Sequence, residues 1–375
     1  MAKRVLIIDH GSGVVKAGLS GLNDPTSVTP NIVHYTPCRE NPGPSSERRR
    51  VGLGISSRYP RSWSYPVQRG RICNWEGVEH IWSYLLNSLV DDFPVLVTES
   101  PVKESKDSQK TAEIMFESLQ VPRLLLADQL QMSLYSSGLL TGVVADCGFG
   151  LTRVQSFQLG YPLATSCLTV ELGGEDLCDY LFKSLFKDKC DRQNVFQLET
   201  VLTTQNSKCY VPHHLQEALH FHQDLPACSD KDFYKLPDGQ DVQLTPEQIL
   251  SPEMFFNPHK FGLPGPGLPQ AIKDVVNACD SSSREMLLSS VILGGGNTLY
   301  PCFVRRLLND LGSLYPKFRG ISVTGNPNRY FSVWLGASIV AHFSSFTSQW
   351  ITKEEYLEGK KPRSSTCASP MPLPK

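Results

Sequence analysis

The sequence predicts an α/β fold built from two related halves, and three observations support this prediction. Short apolar runs with strand character alternate with segments whose apolar residues recur at helical spacing. An Asp-x-Gly-x-Gly turn follows an apolar run twice, once near residue 9 and once near residue 146. The chain has 375 residues, more than one hydrophobic core usually supports, so two domains are expected.

The composition excludes several classes of protein. Apolar residues make up 40% of the chain and charged residues 19%, which is an ordinary globular mix. The formal net charge is −1, so no global field attracts nucleic acid or an anionic membrane, and neither is expected as a partner. No stretch reaches the roughly 18 apolar residues of a membrane span, and the N-terminal apolar run is too short for a signal peptide. We therefore expect the protein in the cytoplasm.

The cysteines and histidines predict no metal site. The eleven cysteines are scattered and include no C-x-x-C pair, which favours free thiols in a reducing compartment. His213-His214 and His220-x-His222 are followed by no third ligand at a recognised spacing, so solvated surface is the favoured interpretation.

Strands and helices alternate in the first half of the sequence. Residues 5–8 predict a buried strand, which a glycine turn joins to a second strand at residues 14–15. Apolar residues at helical spacing between residues 78 and 89 predict an amphipathic helix. Residues 94–98 then predict a core strand, and residues 112–119 predict a second amphipathic helix.

The strand and its glycine turn recur later in the chain. The apolar residues 142–145 lead into a second Asp-x-Gly-x-Gly turn that begins at Asp146. Both segments carry a cation seven residues after the aspartate, Lys16 after Asp9 and Arg153 after Asp146. The matching strand contexts favour an internal duplication over a chance match.

Polar segments predict loops between these elements. Residues 37–50 are polar and proline-rich with a basic end, and residues 263–269 are rich in proline and glycine, so both predict surface loops. Residues 223–245 predict a loop and a hairpin. The tail from residue 360 lacks periodicity and predicts disorder.

Glycine turns between core strands can hold a phosphate, because backbone N–H groups approach it where no Cβ intervenes. A nearby aspartate can hold a metal-bound water, and a lysine can neutralise phosphate oxygens. A third glycine run lies between a strand predicted at residues 290–293 and a helix with apolar residues from 303 to 311, where it could face a phosphate or a base. An Asp-x-Gly-x-Gly turn is as often a plain β-hairpin turn as a phosphate site. The sequence contains no P-loop or Rossmann motif, which disfavours those two nucleotide-binding folds.

Many segments along the chain resemble actin. They are Asp9-His10-Gly11-Ser12-Gly13 with Lys16, Tyr65-Pro66, Arg69-Gly70, Met115-Phe116-Glu117, Tyr135-Ser136-Ser137-Gly138, Leu236-Pro237-Asp238-Gly239, Gly295-Gly296-Asn297-Thr298-Leu299-Tyr300-Pro301 and Ser332-Val333-Trp334-Leu335-Gly336. The resemblance covers residues 4 to about 357, and the chain is identified as a divergent, testis-associated member of the actin family. It implies the actin fold, shared with sugar kinases and heat-shock chaperones, in which two pseudo-duplicated domains surround a central ATP cleft.

The resemblance also implies where the subdomains lie. The small-domain side is expected at residues 1–136 plus 332–375, with residues 31–65 as subdomain 2. The large-domain side is expected at residues 137–331, with subdomain 3 at residues 137–172 and 264–331 and subdomain 4 at residues 173–263. The cleft would lie between these two sides.

The same resemblance implies a nucleotide site for ATP or ADP. Gln129 matches the glutamine that orients the attacking water. The matching nucleotide-binding positions are Asp9, Gly11, Ser12, Gly13, Lys16, Asp146, Gly148, Gly150, Arg153, Gly295, Gly296 and Asn297. An inherited fold needs the same glycines for its turns when the cleft is empty, so an empty scaffold is the alternative.

Several positions depart from the family pattern. Phe149 replaces an aspartate that supports metal and water, and Arg153 replaces a histidine near the attacking water. Arginine stays protonated and cannot act as a base. The family pattern has three Asp and one Lys in the two hairpins and the water site, which gives a net charge of −2. The same positions of this chain have two Asp, one Lys and one Arg, which gives a net charge of zero. A need for Mg²⁺ is therefore doubtful, hydrolysis is expected to be weak or absent, and no enzyme is predicted. At the other replaced positions, His10 stands for an asparagine, Gln205 and Asn206 stand for a Lys-Glu pair that touches the adenosine, and Tyr330 stands for a lysine near the base.

The resemblance further implies a cleft that binds protein partners. The matching residues are Tyr135, Gly138, Tyr161, Val340 and Phe343, with Ser136, Gly160, Ser345 and Gln349 beside them. These positions stay largely apolar, so a partner helix could dock there, and ordinary packing is the alternative. Arg48-Arg49-Arg50 could contact an acidic partner, although a solvated loop is favoured.

The sequence as a whole predicts a non-catalytic, cytoskeleton-associated protein whose partners are cytoskeletal or actin-binding proteins. A slow ATPase and a filament subunit that joins actin polymers are the alternatives. Efficient self-polymerisation is not expected. Residues 39–50 match a loop that inserts apolar side chains into the neighbouring actin subunit, and they contain no aliphatic or aromatic side chain. Lys260 occupies an apolar position of a second contact segment, where a charge resists burial.

Overall fold

A computed structural model describes residues 4–37, 47–51, 62–87, 93–100, 106–189, 191, 194–224, 233–235 and 241–361. The described strands are β1 (Leu6–His10), β2 (Val14–Leu19), β3 (Ser27–Pro30), β4 (Val33–Pro37), β5 (Glu47–Val51), β6 (Ser62–Ser64), β7 (Val67–Gln68), β8 (Arg71–Ile72), β9 (Val95–Glu99), β10 (Arg123–Asp128), β11 (Gly142–Cys147), β12 (Thr152–Gln158), β13 (Tyr161–Val170), β14 (Phe233–Lys235), β15 (Asp241–Gln243), β16 (Val291–Gly294), β17 (Val323–Thr324) and β18 (Ile351–Thr352). The described α-helices are α1 (Trp75–Asn87), α2 (Asp107–Glu113), α3 (Gln129–Ser136), α4 (Gly174–Phe186), α5 (Val195–Ser207), α6 (Leu215–Asp224), α7 (Pro246–Ile249), α8 (Leu268–Asn277), α9 (Arg284–Leu288), α10 (Phe303–Leu314), α11 (Ser332–Val340) and α12 (Lys353–Leu357). This mixture of strands and helices confirms the predicted α/β class. None of the helices in the described ranges is long and apolar enough to cross a membrane.

The chain divides into two compact units. The first comprises Met1–Val144, Gln155–Ala164 and Asn326–Lys375, and the second comprises Ala145–Val154 and Thr165–Gly325. The subdomain boundaries that the resemblance implies stay predictions.

The first unit contains a six-stranded sheet with the order β18-β10-β9-β1-β2-β3. Strand β9 pairs in parallel with β1 and with β10, whereas β2 pairs antiparallel with β1 and β3. The register places Asp9 beside Thr98 and Thr98 beside Ala127. The carboxyl ends of the three parallel strands therefore meet at one edge, where α/β sheets present functional side chains.

Helices bury their apolar faces in the first unit. Helix α1 contributes Val78, Ile81, Trp82 and Leu85 to the core that also contains β1 and β9, which confirms the helix predicted there. Each buried aliphatic side chain stabilises the fold by about 1.5–3 kcal/mol. Helices α3 and α11 pack so closely that a Cβ at Gly336 would lie 1.8 Å from a main-chain oxygen of α3.

The helix predicted at residues 112–119 is only partly regular. Helix α2 ends at Glu113, and a π-helix continues over Ile114–Ser118, where the Leu119 N–H donates to the Ile114 carbonyl at 2.9 Å. This segment buries Ile114, Met115 and Phe116 in succession, and its i to i+5 hydrogen bond differs from the i to i+4 bond of the predicted α-helix. The predicted burial is confirmed, but the predicted period is wrong over these residues.

A second sheet has the order β13-β12-β11-β16-β17, with β16 and β17 parallel. Within the second unit, β16 leads through the glycine run to α10, whose Phe303, Leu307 and Leu311 are fully buried. The strand and helix predicted at residues 290–311 are therefore confirmed. Strands β14 and β15 pair antiparallel, which confirms the hairpin predicted within residues 223–245.

Two of the predicted loops are partly wrong. Residues 47–50 belong to β5, which pairs antiparallel with β4, because a neighbouring strand supplies hydrogen bonds that composition does not reveal. Residues 38–46 of the same predicted loop lie outside the described residues. Helix α8 begins at Leu268, inside the second predicted loop, because a proline suits the first turn of a helix. The predicted disordered tail lies outside the described residues from 362 onward.

Candidate functional site

The first glycine hairpin joins β1 to β2. The Gly11 N–H donates to the Val14 carbonyl at 3.1 Å, which closes the turn. A Cβ at Gly11 would lie 2.9 Å from that same carbonyl oxygen, closer than Cβ atoms approach in proteins. The turn therefore requires glycine at this position.

The second glycine hairpin joins β11 to β12 and closes in the same way. The Gly148 N–H donates to the Leu151 carbonyl at 3.0 Å, and a Cβ at Gly148 would lie 3.3 Å from that oxygen. Gly148 and Leu151 occupy the positions that Gly11 and Val14 hold in the first hairpin. The repeated turn predicted from the sequence is thus present as the same local structure in both units.

Asp9 is the centre of a cluster of side-chain donors in the first unit. Its carboxylate is 3% exposed and accepts the Thr98 hydroxyl at 2.8 Å. The Gln129 Nε2 lies 3.3 Å from the same carboxylate, and the Lys16 Nζ lies 3.4 Å from its other oxygen. The structure therefore brings together three predicted residues, Asp9, Lys16 and Gln129. Sequence reasoning missed Thr98, although its place at the end of a parallel strand could have indicated it.

The ammonium group of Lys16 has two partners within the first unit. One is Asp9, and the other is the ring of Tyr330, whose centroid lies 4.6 Å from Nζ. The Lys16 side chain is only 12% exposed, and a cation–π contact contributes about 0.5–2 kcal/mol. Tyr330, which replaces a family lysine, thus covers the cation that the resemblance assigns to phosphate.

Buried hydrogen bonds fix the backbone around Ser12. The Asn31 Nδ2 donates to the carbonyls of Ser12 at 2.9 Å and Val67 at 3.0 Å. The Ser12 hydroxyl accepts the Gly70 N–H at 2.9 Å. Asn31 was not predicted as a site residue, because nothing in its local sequence reveals its distant partners.

His10 lies in the core beside this hairpin. Its Nε2 is 2.9 Å from the Asn31 Oδ1, and its ring meets Trp82 edge-on with centroids 5.9 Å apart. Burial lowers the pKa of His10 from 6.5 to about 4, against the smaller raising effects of the Asn31 hydrogen bond and the Asp9 charge. His10 is therefore a neutral imidazole at physiological pH.

This shift predicts that the protein loses stability on mild acidification. The unfolded chain protonates His10 below about pH 6.5, and the folded chain does so only near pH 4, so the unfolded state binds more protons between these values. The free energy of unfolding should therefore fall as the pH falls through this window, by roughly 3 kcal/mol in total. Urea unfolding from pH 7 to pH 5 measures the effect. His10→Asn, the family residue, is expected to flatten the profile, and an equal slope in both proteins would contradict the assignment.

The third glycine run packs on the second hairpin within the second unit. The Asn297 Nδ2 donates to the Gly148 carbonyl at 2.7 Å, and the Gly174 N–H donates to the same oxygen at 3.1 Å. Gly295 has φ +82°, and a Cβ there would lie 2.3 Å from the Cys147 carbonyl oxygen, so only glycine fits. The predicted residues Gly148, Gly295 and Asn297 are thus brought together.

The replaced residues of the second hairpin are largely enclosed. Arg153 is 3% exposed and Asp146 is 9% exposed. The Phe149 ring lies against Gly174, since a Cβ at that glycine would be 3.2 Å from the ring. An aromatic ring and a permanently charged guanidinium therefore occupy positions where the family carries an aspartate and a histidine.

The positions that the family uses for adenosine also differ. Gln205 is 7% exposed, and its Oε1 accepts the Cys178 thiol at 3.0 Å. Tyr300 is also hydrogen-bonded to Gln205. Asn206 is exposed. Gln205 is thus engaged in internal hydrogen bonds.

These contacts test how well the residues fit ATP with Mg²⁺. The glycines at positions 11 and 295 are required by close contacts with the chain's own main-chain oxygens, so they would be needed with or without a bound phosphate. The remaining positions fit poorly, because Lys16 is already partnered and Phe149 has no ligand atom for a metal. No catalytic step through nucleotide or metal follows from this arrangement.

The residues of the predicted partner cleft lie in the first unit and differ in exposure. Val340 is fully buried, and Tyr135 is 7% exposed, with its hydroxyl donating to the Gly160 carbonyl at 3.3 Å. The Tyr161 hydroxyl is buried, and Gly138 has φ +73°. Only Phe343 among the predicted five is a strongly exposed apolar side chain.

Further apolar side chains are exposed on the segments around Tyr135. The Gly160 N–H donates to the Leu140 carbonyl at 2.6 Å, so the turn bearing Leu159 lies against the loop bearing Leu139. The Tyr135 ring also contacts Phe346, in the segment that follows Phe343. We define the apolar surface of the first unit as the exposed side chains Leu139, Leu159, Ile339 and Phe343.

Comparison with known proteins identifies relatives over nearly the whole chain. The family model described as Actin matches residues 2–363. Actin-like protein 8 from Homo sapiens is 54% identical over 362 residues, which cover 96% of this chain and 99% of that protein.

Proposed function

Since this chain belongs to the actin family, we propose that it is a non-catalytic, cytoskeleton-associated protein of the cytoplasm that acts through contacts with other proteins. Its partners in this proposal are cytoskeletal or actin-binding proteins. The family fold is retained, while the positions that would serve hydrolysis are changed.

The apolar surface of the first unit carries this proposal. Phe343 is 44% exposed, Leu159 is 56% exposed and Ile339 is 40% exposed. The buried side chain of Tyr135 holds their segments in place through Gly160 and Phe346. Apolar side chains exposed on segments that are held in place by one buried residue favour a protein–protein interaction site.

Apolar burial at this surface would supply useful binding energy. Covering about 200 Å² of apolar area contributes about 5 kcal/mol at 25 cal/mol per Å². Binding also costs free energy, because the partners lose translational freedom and the interface side chains become ordered. A few well-packed anchor residues therefore decide the affinity. Phe343 is the aromatic residue of the surface and the expected anchor.

We expect Phe343→Asp to weaken partner binding at least about tenfold, because the carboxylate would be buried against apolar groups. Tyr84→Asp is the matched control, since Tyr84 is an aromatic residue, 56% exposed, on helix α1. Affinity capture from the native tissue, with quantification of each captured protein, compares the two variants. Partners lost with Phe343→Asp alone would support the proposal. Identical capture by both variants would place the binding surface elsewhere.

A slow ATPase is the second candidate function, and the Asp9 cluster is the observation that favours it. Lys16 and Gln129 each lie within hydrogen-bonding range of Asp9, so three residues that match the family's phosphate and water site are grouped together. In this alternative, ATP or ADP would bind with little dependence on Mg²⁺, because Arg153 supplies cationic charge. Phosphate release by purified protein distinguishes the two candidates.

We also propose that the protein does not polymerise efficiently. Residues 39–46 of the loop used for this prediction lie outside the described residues. Lys260 is exposed in the short helix Pro258–Phe261, and a charge there resists burial between subunits. Losing ~100 Å² of apolar burial at each contact costs ~2.5 kcal/mol, or roughly 70-fold in association.

High-speed sedimentation in polymerising salt, alone and with ordinary actin, tests this prediction. The protein should stay in the supernatant at micromolar concentration. Lys260→Leu is expected to increase pelleting, and Lys317→Leu, at another exposed lysine of the second unit, is the control. Pelleting of the unaltered protein would overturn the prediction and favour a filament subunit.

A further inference from the structure

A small cavity of about 40 Å³ is lined by residues of the first unit, including His10 next to the first glycine hairpin. Its lining includes the apolar side chains of Val67 and Trp82 and the polar side chains of His10, Thr98 and Thr111. A buried water needs roughly 10–15 Å³. The cavity is therefore large enough for at least one water molecule.

Hydrogen bonds around Asn31 fix the tautomer of His10. The Asn31 Nδ2 donates to two carbonyls, those of Ser12 and Val67, so its Oδ1 is the atom that faces His10. An amide oxygen only accepts, so the His10 Nε2 must carry the proton. In the neutral ring, Nδ1 is then an acceptor with a lone pair.

The His10 Nδ1 lacks a protein donor among the described residues. The side chain is 8% exposed, and Nδ1 itself is buried without a hydrogen-bond partner. A buried acceptor left unsatisfied costs about 1–3 kcal/mol. The ring that carries this atom lines the cavity, so a small donor placed there can satisfy it.

We propose that the cavity is a binding site for ordered water, and that one water donates a hydrogen bond to the His10 Nδ1. Hydroxyl groups of the lining provide the further partners that a buried water needs. A dry cavity would be expected if the lining were wholly apolar, which the threonines and His10 contradict.

The water site adjoins the Asp9 cluster through Thr98. This residue lines the cavity, and its hydroxyl donates to the Asp9 carboxylate at 2.8 Å. The Gln129 Nε2 lies 3.4 Å from the same hydroxyl oxygen. The proposed water site is therefore connected to the Asp9 cluster through a shared residue, Thr98.

A crystal structure at about 1.5 Å resolution tests the proposal, with xenon-pressurised crystals as a second measurement. We expect a water at about 2.7–3.2 Å from the His10 Nδ1 and no xenon in the cavity. Crystals grown with and without ammonium salts should show the same density, since ammonium is the other small donor. Density that occurs only with ammonium, xenon in the unaltered protein, or an empty cavity would each overturn the proposal.

Two variants separate the water site from a general packing effect. His10→Leu removes the acceptor at similar size, so the water should be lost and xenon should enter. Thr111→Val removes one hydroxyl of the lining and should lower the occupancy while the hairpin stays unchanged. If His10→Leu does not fold, the unaltered protein and Thr111→Val still decide the question. A water outside hydrogen-bonding range of the His10 Nδ1, or an occupancy that Thr111→Val leaves unchanged, would contradict the proposed contacts.

Discussion

Purified protein is expected to hydrolyse ATP about 10²–10⁴ times more slowly than ordinary actin, the range that a lost general acid–base contribution covers. Arg153 stays protonated and cannot accept a proton, and Phe149 has no oxygen to hold a metal-bound water. Both residues lie in the second hairpin, where Arg153 is 3% exposed. Gln129 alone cannot replace them, because a glutamine orients water without removing its proton.

Restoring the family residues tests the cause. Phe149→Asp and Arg153→His together should raise any residual turnover, and each change alone should do less, because groups that act as one unit are not additive. Arg305→His is the control, since Arg305 is exposed on α10. Phosphate release is the measurement. Turnover equal to that of actin in the unaltered protein would show that another residue provides the base.

Much of the candidate site could be predicted from the sequence because local requirements identify it. Gly11 is needed to close the first turn, Gly148 holds the same place in a second turn of the same kind, and the strands before them are short apolar runs. Such features depend on a few neighbouring residues, so the pattern of eight residues from Asp9 to Lys16 is enough to reveal them. The family resemblance then supplied Gln129, which the fold places beside Asp9.

The residues that sequence reasoning missed depend on distant contacts. Thr98 and Asp9 are 89 positions apart in sequence, and the register of two parallel strands places them side by side. Asn31 joins Ser12 to Val67, and neither partner is near it in sequence. The sequence identifies Tyr330 only as the replacement of a family lysine, and its contact with Lys16 is visible only in the folded structure. Periodicity and motif spacing carry no information about such pairs.

The errors in secondary structure have the same origin. Strand β5 is basic and polar, and only its pairing with β4 makes it a strand. The π-helix after α2 buries three successive residues because the core around them accepts all three. Tertiary contacts override local preference in both cases.

A buried ion pair in the second unit supports the segment that follows the third glycine run. Glu253 is completely buried, and Arg306 of α10 donates to it twice, at 2.7 and 2.9 Å. Arg306 also contacts the Pro212 carbonyl at 2.8 Å and Asp310 at 3.0 Å. Burial alone would lower the pKa of Arg306, but hydrogen bonds and charges from Glu253 and Asp310 raise it above its ordinary value. The guanidinium is thus held charged within the core.

Arg306→Met is expected to destabilise the second unit by about 3–5 kcal/mol, because it leaves the Glu253 carboxylate buried without its cation. Hydrogen exchange of the α10 amides measures the free energy of local opening. Adding Glu253→Gln to Arg306→Met should recover part of the loss, since the buried charge is then absent. Asp310→Asn is the matched control and should cost less than about 1 kcal/mol, because the Asp310 side chain is 31% exposed and solvent screens it. A double variant as unstable as Arg306→Met alone would show that lost packing against Phe256, 4.9 Å from the guanidinium, causes the effect instead.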